Sequence, residues 1–110
     1  MAKIFSGATS IPANQTLELR ADVSRFRVIN LVMKFSKASN ITFRFESQEG
    51  AGSEFDQANY GIDVESLSNV AAGTLIQRSF NNVGEVFVIK VTNLSTTEAG
   101  TLDILCYGFE

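Results

Sequence analysis

The sequence of 110 residues contains no histidine and no tryptophan, and it has only one cysteine and one proline. Without histidine, neither a Ser-His nor a Cys-His nucleophile pair can form, and the usual histidine-containing catalytic zinc sites are excluded as well. Neither a phosphate-binding loop nor a dinucleotide-binding fingerprint occurs. Paired carboxylates alone can hydrolyse a glycosidic bond, but a chain this short leaves little room for a substrate cleft. We therefore predict that the protein is not an enzyme and has no catalytic, cofactor-binding or metal-binding residues.

The start of the chain and its one cysteine bear on the cellular compartment. Residues 1–7 carry one positive charge, and no apolar run of signal-peptide or transmembrane length follows them. Cys106 has no partner for a disulfide within the chain, which fits a reducing compartment. Because Cys106 shares its parity with Leu102 and Ile104, we expect a small buried side chain rather than a reactive thiol. The sequence thus predicts synthesis in the cytoplasm without a signal peptide, and no membrane association.

Composition indicates one globular domain over residues 1–110, since 45% of the residues are apolar and 19% are charged. Apolar and polar residues alternate with a period of two, as in Ile41, Phe43 and Phe45, which is typical of strands with one solvated face. The segment 85–91 is apolar on both faces and predicts a central strand covered on both sides. Turn residues divide the chain into strand candidates at 3–6, 15–20, 25–35, 40–47, 60–66, 73–80, 84–93 and 100–109.

These patterns predict an all-β fold, an antiparallel β-sandwich of about eight strands, with jelly-roll connections left open. The predicted core consists of Leu19, Val28, Leu31, Met33, Ile41, Phe43, Phe45, Val86, Val88, Ile89, Leu102 and Ile104. Within 26–35 the apolar parity changes, and we place a bulge or a crossing between sheets near Asn30. The tetrapeptide Ala-Gly-Thr-Leu occurs at 72–75 and again at 99–102. Either both copies leave a turn in the same way, or they mark two related hairpins.

Charge is distributed unevenly along the chain, although the net charge is only -3. Six bases and one acid lie between Arg20 and Arg44, whereas six acids and no base lie between Glu46 and Glu65. Either neighbouring strands pair these charges across one sheet face, or the protein has a bipolar surface that contacts other copies. The second interpretation gives a candidate interaction surface of Arg20, Arg25, Arg27, Arg44, Glu49, Glu54, Phe55, Asp56 and Tyr60.

Two features of the 46–65 segment leave alternatives open. Phe55 and Tyr60 either plug one end of the sandwich or anchor a partner. The acidic residues form either a solvated loop or a Ca²⁺ site, although their spacing does not match an EF-hand loop.

The function predicted from the sequence is structural. We expect a non-enzymatic assembly protein that acts by self-association or by docking on a larger protein assembly. Its most concrete form is a small bacteriophage virion component, either a capsid decoration protein or a tail protein, with the virion as its final location. The alternative is a β-sandwich module that binds carbohydrate or another ligand. The negative net charge argues against a general nucleic-acid partner.

Overall fold

The computed structural model describes residues 1–47 and 61–110, and these residues form eight strands. The prediction of an all-β sandwich of about eight strands is confirmed. Within the described ranges there is no helix long and apolar enough to cross a membrane. The strands are β1 (Ala2–Ile11), β2 (Thr16–Asp22), β3 (Val28–Phe35), β4 (Ser39–Glu46), β5 (Gly61–Val70), β6 (Ile76–Asn81), β7 (Val86–Asn93) and β8 (Gly100–Phe109).

The strands form two antiparallel sheets of four that pack face to face. One sheet has the order β1-β8-β3-β6 and the other has the order β2-β7-β4-β5. Successive strands change sheet at most connections, and only β4 and β5 follow each other within one sheet. Eight strands in this order form two Greek keys, which is the jelly-roll arrangement left open above.

Strand β3 shows how the period of two builds this sandwich. Its burial alternates strictly, with Ile29, Leu31, Met33 and Phe35 turned inward. The predicted bulge or crossing between sheets near Asn30 is wrong, since β3 stays in one sheet and pairs with β8 in one unbroken register from Val28 to Phe35.

The change of parity has another cause, which lies before the strand. Phe26 belongs to a turn, in which its backbone NH donates to the carbonyl of Val23 over 2.9 Å. From this turn its ring packs into the core against Gly108, where an added Cβ would overlap the ring. Phe26 is therefore buried without belonging to β3.

A cluster of phenylalanine rings joins the two sheets. Phe80 on β6 lies 5.2 Å from Phe43 and 5.7 Å from Phe87, measured between ring centroids. Phe45 lies 4.9 Å from Phe87 on the neighbouring strand. Aromatic pairs at these separations gain energy beyond the area that they bury. Since Phe80 comes from one sheet and the other three rings come from the opposite sheet, the cluster fixes how the sheets face each other.

Most of the predicted core is confirmed. Leu19 and Val28 are only half-buried, and the other ten predicted residues are buried. Val86 and Val88, however, do not belong to the core cluster between the sheets. They alternate with the inward-facing Phe87 and therefore lie on the outer face of β7. The prediction of a central strand that is covered on both sides is thus confirmed.

Two asparagines hold the loops at either end of β7. The amide nitrogen of Asn82 donates to the carbonyls of Val23 and Phe26 over 2.9 and 2.8 Å. The amide nitrogen of Asn93 donates to the carbonyls of Ile11 and Glu98, both over 3.0 Å. Buried backbone carbonyls need such partners where no strand supplies them.

The repeated Ala-Gly-Thr-Leu sequence has two different structural roles. Gly73 lies in the turn before β6 with φ at 77°, in the left-handed region that suits glycine. Gly100 begins β8 outside that region, but a Cβ there would overlap the ring of Phe35. The first glycine is therefore needed for its backbone angle and the second for its lack of a side chain.

This difference predicts a larger loss of stability at Gly100 than at Gly73. Gly100→Ala should lower the free energy of unfolding by about 1–3 kcal/mol, because the buried Phe35 ring must move. Gly73→Asn should cost less than about 1 kcal/mol, since asparagine tolerates a positive φ and no atom lies within 4 Å of an added Cβ. Urea unfolding of both variants measures the two values. Equal losses would show that the two glycines have the same role after all.

Candidate interaction surfaces

The sandwich presents two outer faces of opposite character. The charged face consists of the outward side chains of β2-β7-β4-β5, which include Glu18, Arg20, Arg44, Glu46, Asp63, Val86, Val88 and Lys90. The Val32–Leu105 face consists of the outward side chains of β1-β8-β3-β6 together with Leu75, which directly precedes β6. Its members include Lys3, Ser6, Ala8, Asn30, Val32, Lys34, Leu75, Gln77, Ser79, Asp103, Leu105 and Tyr107.

Glu46 is the centre of the charged face. It is only 5% exposed, and one carboxylate oxygen accepts a hydrogen bond from Arg20 on β2. The other oxygen accepts a bond of 2.8 Å from the Nε atom of Arg44. Arg20 also bonds Glu18 over 3.2 Å, and Arg44 bonds Asp63 over 2.9 Å. The ion pairs therefore run from β2 to β5 across the whole sheet.

The ion-pair network lies over a buried apolar side chain of β7. In the register of the sheet, Val88 on β7 lies directly between Arg20 and Arg44. Val88 is fully buried although it faces away from the core. Arginine covers apolar surface with its aliphatic stem while its charged end makes polar contacts. A Cβ at Gly61 would overlap the guanidinium of Arg44, so this glycine leaves room for the arginine at the edge of the network.

The electrostatics follow from this arrangement. Burial opposes the ionisation of Glu46, but the hydrogen bonds and charges of Arg20 and Arg44 outweigh burial, so the pKa of Glu46 is lowered. The hydrogen bond with Glu46 is the largest influence that raises the pKa of Arg20, and likewise that of Arg44. All three groups are therefore charged at neutral pH.

A second ion pair closes one side of the sandwich. Arg78 on β6 donates two hydrogen bonds to the carboxylate of Glu65 on β5, over 2.6 and 3.0 Å. These two strands belong to different sheets. The bidentate geometry is the stronger form of such a pair, and it links the two edges where the sheets meet.

The structure places four residues of the predicted interaction surface. Arg20 and Arg44 lie together in the network on the charged face, as the charge-pairing alternative expects. Arg25 and Arg27 lie in the turn between β2 and β3. The guanidinium of Arg25 is 4.7 Å from the ring centroid of Phe26, and Arg27 donates to the carbonyl of Glu110 over 3.3 Å.

The other five residues of that surface, Glu49, Glu54, Phe55, Asp56 and Tyr60, lie outside the described residues. The open alternatives for the 46–65 segment, a Ca²⁺ site among them, also fall mainly there. In the rest of the chain, no group of three or more acidic, cysteine or histidine residues could hold a metal ion. The use of the nine residues in an interaction stays a prediction.

The Val32–Leu105 face has exposed apolar side chains at its centre. Val32 on β3 and Leu105 on β8 are direct cross-strand neighbours, and their exposed fractions are 38% and 41%. Leu75 is 58% exposed, and together these three side chains line a shallow hollow of about 460 Å³. Around them lie mostly small or uncharged polar residues. Lys34 and Asp103 are the charged pair of the row on one side, and Lys3 lies beside Tyr107 in the row on the other side. An apolar centre inside a polar rim is the usual anatomy of a protein–protein contact.

This face was not among the predicted surfaces, although the alternation of β3 and β8 carries a signal for it. Val32 and Leu105 are apolar residues at the parity that is otherwise polar in β3 and β8. A large apolar residue on the solvent side of an alternating strand points to an exposed contact.

The core position of Cys106 is confirmed. Its side chain is fully buried on β8, and burial raises the pKa of the thiol to about 12.

Comparison with known proteins adds no assignment to either face: no protein-family model matches this chain, and the curated proteins contain no match to it.

The charged face predicts a loss of stability in acid. The pKa of Glu46 is below its ordinary value of 4.5 in the folded protein. Its contribution to stability is therefore complete above that value and is lost as the pH falls through the folded pKa. We expect Glu46→Gln to lower the free energy of unfolding at neutral pH by about 1–3 kcal/mol and to flatten its decline in acid.

Urea unfolding over a series of pH values measures both effects. Part of the decline should remain in the variant, because hydrogen bonds from Ser24 also lower the pKa of Asp22. The control is Glu98→Gln, which breaks the exposed ion pair with Lys37 and should change stability by less than about 1 kcal/mol. If both glutamate variants show the same pH profile, Glu46 does not hold the charged face together.

Proposed function

We propose that this protein is a structural protein that docks through its Val32–Leu105 face into a larger protein assembly. Concretely, we propose a small component of a bacteriophage virion, such as a capsid decoration protein or a tail protein. The observation that carries the proposal is the adjacency of Val32 and Leu105 at outward positions, with Leu75 beside them. Burial of such a centre against a partner is favourable at about 25 cal/mol per Å² of apolar area.

The contrast between the two faces supports this choice of surface. On the charged face, the buried Glu46 already binds two arginines, so a partner there would compete with bonds inside the chain. On the Val32–Leu105 face, the central apolar side chains are exposed and the surrounding residues are mostly small and uncharged. Removing such a face from water requires little desolvation of charge.

The fold supports the virion form of the proposal only by analogy. Jelly rolls occur in viral capsid proteins, and they also occur in lectins and cupins. Since one fold hosts many functions, the topology alone does not choose among these. The lectin analogy keeps carbohydrate binding as the competing outcome, with Tyr107 as the aromatic residue on this face.

The proposal is tested by sedimentation of the protein from the cells that produce it or from virus particles that contain it. We expect the 12.0 kDa chain to sediment with a particle far heavier than a dimer. Val32→Lys should release it into the light fractions, because a charge in the apolar centre cannot be desolvated cheaply. The matched control is Val83→Lys, which makes the same change at a loop valine that is 58% exposed and lies off this face.

Two results would contradict the proposal. One is a wild-type protein that sediments only as a monomer or a dimer. The other is an equal release by both lysine variants, which would show that the Val32–Leu105 face is not the docking surface. A glycan array forms the second arm of the test, and binding that is lost in Tyr107→Ala would replace the assembly role with carbohydrate recognition.

A further inference from the structure

We propose that the partner on the Val32–Leu105 face is a second copy of this chain, related by a two-fold axis that runs between β3 and β8, parallel to both strands. This inference rests on the proposed function and makes the dimer the unit that enters the assembly. Because a two-fold contact closes this face, the dimer meets further subunits elsewhere on its surface. The register of the two central strands supports this symmetry.

Three cross-strand pairs form the middle of the face. In the antiparallel register of β3 and β8, Asn30 lies beside Tyr107, Val32 beside Leu105, and Lys34 beside Asp103. In each pair one residue comes from β3 and the other from β8. One pair is polar, one is apolar, and one carries opposite charges.

A two-fold axis parallel to the strands turns these pairs into contacts between copies. Rotation about it places β3 of one copy over β8 of the second copy at the same height. Each side chain then faces the residue type that is already its neighbour in the sheet. Val32 meets Leu105 of the second copy, and Lys34 meets Asp103 of the second copy. Such an interface is isologous, so every contact occurs twice.

The flanking strands fit the same operation. Ala8 on β1 lies beside Asp103, and Leu75 extends the row of Lys34 just before β6 begins. The rotation brings β1 over β6 of the second copy, and so places the exposed Leu75 against Ala8. In the next row, Ser6 faces Gln77. Apolar residues therefore meet apolar residues, and polar residues meet polar residues, from one edge of the face to the other.

Charge decides between this axis and a perpendicular one. Within the part of the chain that the structure describes, neither Lys34 nor Asp103 takes part in a salt bridge. The parallel axis pairs each of them with an opposite charge across the interface. A two-fold axis across the strands through Val32 and Leu105 would instead place Lys34 over Asn30 and Asp103 over Tyr107. Only the parallel axis makes use of both charges.

The size of the face is sufficient for a reversible dimer. The four strands contribute 10, 10, 8 and 6 residues. At about 4.8 Å between strands and about 3.4 Å per residue, they cover roughly 550 Å² in each copy. The rotation lays β8 on the eight-residue β3 and β1 on the six-residue β6, so at most 28 of these 34 residues overlap. The dimer then buries roughly 900 Å² in total, which is in the range of weak, transient contacts. We therefore expect a dimer whose population depends on concentration.

Sedimentation velocity over a concentration series tests the interface first. The purified wild-type chain should pass from monomer to dimer as its concentration rises. Val32→Lys, and the milder Val32→Ser, should weaken the dimer at least tenfold, whereas Val83→Lys should leave it unchanged. A wild-type chain that stays monomeric, or a dimer that persists in both Val32 variants, would overturn the inference.

A mixing experiment then tests the axis. A chain with Asp103→Lys carries two positive charges in this row, and a chain with Lys34→Asp carries two negative charges. Each alone should be at least tenfold weaker as a dimer, because like charges face each other across the parallel axis. An equimolar mixture should form a dimer with one chain of each kind. Each chain keeps its own internal contacts in the mixture, so a gain on mixing reports contacts between chains.

The outcomes separate this inference from the proposed function. A mixture that is no more dimeric than its components would rule out the parallel axis. If purified protein never dimerises while the native protein still sediments with a large particle, this inference is wrong and the assembly role stands. If it dimerises as described but never joins a larger particle, the assembly role is wrong and the dimer stands.

Discussion

The contact of four phenylalanine rings between the sheets is the interaction on which the rest of the structure depends. Phe43, Phe45 and Phe87 project from β4 and β7, and Phe80 meets them from the edge strand of the opposite sheet. Because side chains alternate along a strand, fixing these rings inward also fixes which residues face outward. A slip of one residue on β4 would bury Arg44 in the core and expose the rings. The aromatic contact therefore determines the register and the composition of the charged face.

The two faces show two ways of managing the outer surface of a sandwich. On one sheet the buried carboxylate of Glu46 binds two arginines, whose stems flank the outward valines of the central strand. Removing one member of such a group leaves a buried charge without its partner, so the group acts as a unit. On the other sheet Val32 and Leu105 have no such charged cover and are 38% and 41% exposed. The first face is held by bonds within the chain, whereas the second leaves apolar area in contact with water.

The sequence supported the fold better than the surfaces, for physical reasons. Alternation of apolar residues depends on local geometry alone, so the eight strands and most of the core could be predicted from single segments. The position of Phe26 in a turn could not be predicted from its own segment. Its ring packs against Gly108, which is distant in the sequence. The partners of Arg20 could not either: its main contact, Glu46, lies two strands away across β7. Gly73 and Gly100 differ in role although they lie in identical tetrapeptides. The fold brings the ring of Phe35 against Gly100 only.

Because Cys106 is buried, the reactivity of its thiol reports local opening of the native structure. This thiol is the only one in the sequence, and with a pKa of about 12 it is protonated and enclosed in the native state. A thiol reagent can therefore label it only when the core around β8 opens. The labelling rate under native conditions thus measures the free energy of that opening without denaturant. Because β8 also carries Leu105 and Asp103, any partner that covers this strand should slow the labelling as its concentration rises.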